Sequence, residues 1–159
     1  QGVERLAIED IEQLTKTIGG VPHSASVIVG FLNGVLLRTE EASNEFRERL
    51  RDVIRNHIAD IDWISLNLPD GQRGYDFENL VKAACSDERG LGFAKRFFDH
   101  VVSIEITEYR QELNRSHILN ELFERHGVQM LTKVFALGKD GVFDRAHHIL
   151  GDRDLEHHV

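Results

Sequence analysis

Apolar residues recur at three- and four-residue spacing along most of the chain, the period of helices that pack by one face. Val3, Ala7, Ile11, Leu14 and Ile18 predict a helix over 3–18, ended by Gly19-Gly20 and Pro22. Val27, Ile28, Val29, Phe31, Leu32, Val35, Leu36 and Leu37 predict a second helix over 24–38. It leaves almost no polar face, which places it centrally in a bundle. Gly30 and Gly34 lie four apart in it and permit a close helix approach, within the bundle or at a dimer face. Over 43–61, Phe46, Leu50, Val53, Ile54, His57, Ile58 and Ile61 form one stripe. Glu45, Arg47, Glu48, Arg49, Arg51, Asp52 and Arg55 fill the other side, which reads as solvated.

Residues 62–75 break this period. Trp63 to Leu68 alternates, which predicts a short extended segment over 62–68, and Pro69-Asp70-Gly71 predicts a turn. Asp76 is then expected to cap a helix starting at Phe77, with Phe77, Leu80, Val81 and Ala84 on one face. Gly90 is expected to end it. The next helix carries Phe93, Phe97, His100, Val101 and Ile104, and Gly92 would let it lie close to a neighbour. The two read as a hairpin. The β-branched run at 101–109 predicts fraying. Ser116 is expected to cap a helix over 117–126 with Ile118, Leu119, Leu122 and Phe123 inside, stopped by Gly127. Further helices are predicted over 128–137 and 142–150. The expected fold is an all-α, compact bundle of six to eight helices, one domain over 1–151, followed by a polar tail at 152–159.

Composition narrows the functions. The 159 residues carry a net charge of −8, which disfavours sequence-independent nucleic-acid binding by repelling phosphate backbones. No apolar run approaches a membrane span. Cys85 is the only cysteine, so no internal disulfide forms, which fits a reducing, cytoplasmic setting. Met130 is the only methionine, Gln1-Gly2 resembles a cleavage scar, and Leu155-Glu156-His157-His158 resembles a vector junction. The expectation is a domain excised from a larger protein.

Between Asp76 and Glu105, Leu80-Val81, Gly90-Leu91 and Glu105 form a pattern that resembles bacterial effector-associated domains. These are small helical adaptor modules found beside proteases, nucleases and nucleotide-switch proteins in bacterial defence. The resemblance implies an adaptor whose partner is another protein or a homotypic copy, with no cofactor. The Ser86–Gly92 turn is the expected docking point. It sets Asp87, Glu88 and Arg89 beside an apolar Leu91, the arrangement of an interface anchor rimmed by charge.

Catalytic sets are sparse, and no catalytic or metal-binding residue is expected. The alternative is Arg51 with His57, which resembles the Arg…His motif of HEPN ribonucleases, all-helical and metal-independent; Arg110 and His117 form a looser version. His57 falls on the apolar stripe and Arg51 off it. His147, His148 and Asp152 are the alternative metal ligands, although adjacent histidines on a helix diverge by about 100°. A third reading is a small-ligand sensor with an apolar cavity between the central helices.

Overall fold

The computed structural model describes residues 7–66 and 71–130. These residues form six α-helices and two 3-10 turns, with no strand among them, so the all-α expectation holds. The chain divides into two compact units, Gln1–Ala84 and Cys85–Val159.

The first unit holds α1 (Ile8–Gly19), α2 (Ala25–Arg38), α3 (Asn44–Ile58), a 3-10 turn (Trp63–Ser65) and α4 (Gly71–Ala84). Helix α2 packs against α4, α1 and the 3-10 turn, while α3 packs against α1 and α4. The core is bulky: Ile11, Leu32, Leu50, Ile54, Ile58, Trp63, Phe77 and Leu80 are fully buried. Each such side chain stabilises the unit by about 1.5–3 kcal/mol through loss of apolar surface to water.

Helix α1 turns a different face inward from the one its spacing predicts. Ile8, Ile11 and Thr15 are buried, and Leu14 is 46% exposed. Thr15 reaches the interior because its Oγ1–H donates to the Ile11 carbonyl at 2.7 Å, so no polar group is left unsatisfied. Glu9 and Asp10 occupy the first turn, where the helix end is partly positive. Helix α3 begins as expected at Ser43, whose Oγ accepts the Phe46 N–H at 3.2 Å. Arg55, expected on the solvated side, is instead buried. Its Nε donates to the Ala84 carbonyl at 2.8 Å, and its Nη1 donates to Asp52 at 2.8 Å. Ala84 ends α4, so this guanidinium satisfies a carbonyl that has no partner within its own helix.

Two sequence expectations between α3 and α4 are corrected. Residues 63–65 coil into a 3-10 turn rather than extending, with the Leu66 N–H bonded to the Trp63 carbonyl. Asp76 does not start a helix: α4 already runs from Gly71, and the Asp76 carboxylate accepts from Asn33 of α2. The predicted turn at Pro69-Asp70 lies outside the described residues.

The second unit holds α5 (Gly90–Ser103), α6 (Tyr109–His126) and a 3-10 turn (Val128–Met130). Helix α5 packs on α6. Phe93, Phe97 and Val101 are buried as expected, joined by Ala94, Phe98 and Val102. Phe98 meets Phe123 of α6 with ring centroids 6.1 Å apart. The β-branched run ends α5 at Ser103. Helix α6 begins at Tyr109, a full two turns before Ser116, which is interior rather than a cap. Residues 109–115 are mostly good helix formers, and Arg115 pairs with Glu112 one turn back at 2.6 Å. Gly127 ends α6 as expected, but with a right-handed backbone. Of the helix predicted over 128–137, residues 128–130 form the 3-10 turn and 131–137 lie outside the described residues, as do the helix predicted over 142–150 and the tail.

Candidate functional site

Helix α2 is apolar all round in sequence but is not buried all round. Ala25, Ile28, Val29, Leu32, Asn33 and Val35 face inward. Successive residues turn by about 100°, so Val27, Gly30, Phe31, Gly34, Leu37 and Arg38 share the opposite face. There Val27 is 57% and Leu37 52% exposed, with Phe31, Gly30 and Gly34 half-buried between them. A Cβ added to Gly34 would meet nothing within 4 Å among the described residues. Gly34 therefore serves no close approach among the described residues. The result is about three turns of outward apolar surface, ended by Arg38. No Asp, Glu, Lys or Arg lies between Lys16 and Arg38. The apolar sequence of α2 predicts a central helix, with close packing within the bundle or at a dimer face as the two uses of Gly30 and Gly34. The available signal was size: a unit of this length cannot surround one helix on every side.

The expected docking turn is built more tightly than its composition suggests. Asp87 Oδ1 accepts the Arg89 N–H at 3.0 Å, and the Asp87 carbonyl accepts the Gly90 N–H at 2.9 Å. Gly90 does not end a helix but starts α5. It is pressed so closely on the Cys85 carbonyl that a Cβ there would overlap it. The same carbonyl lies 2.9 Å from His126 Nε2 of α6 and accepts its N–H. Glu88 and Arg89 are exposed, but Leu91 is half-buried in the first turn of α5. Gly92 is exposed, and a Cβ there would meet nothing within 4 Å among the described residues, so it brings no neighbour close. Of the residues carrying the adaptor resemblance, Leu80, Val81 and Gly90 are buried and Glu105 is exposed.

The alternative catalytic pair is separated by its own helix. Arg51 and His57 are six residues apart on α3, which sets them about 120° apart around the axis. His57 Nε2 faces Glu12 Oε1 of α1 at 2.9 Å, beside an Arg49–Glu9 pair at 2.7 Å. Glu9 is held below the ordinary carboxylate range, first by a backbone N–H and then by Arg49. These contacts strap α1 to α3. His147, His148 and Asp152 lie outside the described residues, and no group of three potential metal ligands occurs among the described ones. No described helix is long and apolar enough to cross a membrane.

Three buried polar atoms of the first unit, Asn33 Oδ1, Arg47 Nε and Trp63 Nε1, find no hydrogen-bond partner among the described residues. No protein-family model matches the chain, and no curated protein or solved structure matches it.

Proposed function

We propose that the chain is a protein–protein interaction module, an adaptor or regulatory element of a larger system, and that it recognises its partner through the outward face of α2. One observation carries this reading. Val27 and Leu37 stand more than half exposed at the two ends of an uncharged apolar stripe, on a helix whose other side is packed. Contiguous apolar surface on a folded chain marks a recognition site, because exposing it to water is costly unless a partner covers it. The bacterial defence setting of the effector-associated domains agrees with such a role. Asp87, Glu88, Arg89 and Leu91 offer less: one carboxylate is engaged in its own turn, and the apolar side chain is half withdrawn.

The test is site-specific photo-cross-linking. A benzophenone amino acid is placed at Val27, at Leu37 and, as a control, at Glu48 on the exposed side of α3. Discrete protein adducts are expected from the first two positions and not from the third. Equal labelling at all three, or none at any, would reject the reading.

A further inference from the structure

We propose that the partner of this face is a second copy of the chain, with its α2 docked antiparallel about a two-fold axis level with position 32. The inference rests on the reading of α2 as a recognition face and names its occupant.

An isologous contact requires a surface complementary to itself. Along the outward face, positions 27, 30, 34 and 37 run large, small, small, large, as Val, Gly, Gly and Leu. This order is symmetric about position 32. An antiparallel copy therefore sets Val27 against Leu37 of the second copy, and Gly30 against Gly34 of the second copy. Phe31 shares the face and is half-buried, so it offers part of its ring beside the notch that Gly34 leaves open. Knob and hole lie on the same surface, which a two-fold axis uses twice.

Charge selects the same occupant and orientation. The chain carries −8, so two copies repel across most surfaces. The stretch from Thr17 to Leu37 holds no Asp, Glu, Lys or Arg, so copies meet there without opposing like charges. At the ends of the stripe, Arg38, Glu40 and Glu41 follow α2, while His23 and Ser24 precede it. Antiparallel docking sets Glu41 of the second copy level with His23 and Glu40 of the second copy level with Ser24, beside the partly positive helix N-terminus. Parallel docking would instead stack Arg38 on Arg38 and the glutamates on each other.

The experiment is sedimentation equilibrium of the full chain over a concentration series, with two variants. Gly34→Leu fills the notch, where a Cβ meets nothing within 4 Å among the described residues, and Leu37→Glu puts charge into the stripe; circular dichroism checks that both keep the helical content of the parent. The expected result is a reversible dimer whose dissociation constant rises at least about tenfold in each variant, roughly the loss of one buried contact. For orientation, Val27→Cys protein is mixed with Leu37→Cys protein under mild oxidation. The mixed 27–37 disulfide is expected in excess over both homodisulfides. A chain that stays monomeric, a dimer indifferent to both variants, or homodisulfides in excess would overturn the proposal. A monomer whose position-27 and position-37 photoprobes capture another protein rejects only the second-copy inference. A monomer with no adduct at either position rejects the recognition face itself.

Discussion

Asn33 Nδ2 donates to Asp76 Oδ1 at 3.0 Å, across 43 residues of sequence, with both side chains almost fully buried. This bond joins α2 to α4 from the inside, behind the exposed stripe. Asp76→Leu removes the one hydrogen bond that the Asn33 side-chain amide makes among the described residues, where its Oδ1 has no partner, and is expected to cost about 2–3 kcal/mol. Asn33→Leu takes one donor from Asp76, a residue with a further interaction, and is expected to cost less. In a urea-unfolding double-mutant cycle the two changes should couple by at least about 1 kcal/mol. Strict additivity would mean that the bond contributes nothing.

Arg55 makes a second internal tie, from α3 to the last carbonyl of α4. Arg55→Met is expected to lower stability by about 2–3 kcal/mol, since a charge-assisted bond and its match to the negative helix end are both lost. Arg55→Lys should recover little, because an ammonium cannot bond Ala84 and Asp52 in the fork geometry of a guanidinium. Chemical denaturation reads both. A lysine variant as stable as the parent would show that charge alone suffices.

Two glycines should respond in opposite directions to the same change. Gly90→Ala forces a methyl group into the Cys85 carbonyl and is expected to destabilise by about 2–4 kcal/mol, near the top of the usual range for single changes. Gly34→Ala meets open space in a helix interior, so helix propensity should stabilise the chain by about 0.5–1 kcal/mol. Thermal unfolding at low concentration measures both. A destabilised Gly34→Ala would mean that position 34 is packed.

Glu9 supplies a pH test. Its folded pKa is lowered from the ordinary 4.5 by a backbone N–H and by Arg49, so the group is more acidic folded than unfolded. Its contribution is therefore present above pH 4.5 and is lost as pH falls through the lowered value. Carbon-13 detected titration should find Glu9 deprotonating below a free glutamate, and Arg49→Ala should move it part of the way back. A Glu9 midpoint that ignores Arg49→Ala would show that the 2.7 Å pair does not persist in solution.

Helix spacing made the fold class readable, and it located most of α3, α5 and the end of α6. It failed where one polar contact outweighed the local pattern. Thr15 looks polar but sits inside, because its hydroxyl finds the Ile11 carbonyl. Asp76 looks like a cap but serves as an acceptor for Asn33, and such a partner cannot be inferred from neighbours in sequence. Arg55 follows the charged side of α3 on any helical wheel, and only the position of Ala84 draws it in. The outward stripe of α2 was visible as residues but not as a surface. An apolar helix reads the same whether water or protein lies beyond it, and burial is decided by the neighbours that fold around it.

The charge-free stretch on α2 also fixes how the protein comes apart. Trypsin cuts after Lys and Arg, so it cleaves at Lys16 and Arg38 and releases Thr17–Arg38 as one peptide. That peptide carries the whole outward face, and it contains neither Cys85 nor Met130, the side chains that most readily take up oxidant. In hydroxyl-radical footprinting, oxidation of this fragment would be reported by the exposed His23, by Phe31 and by their aliphatic neighbours, which tandem sequencing of the peptide separates. The fragment ions that carry Phe31 would then follow the covering of that face as a partner is titrated in.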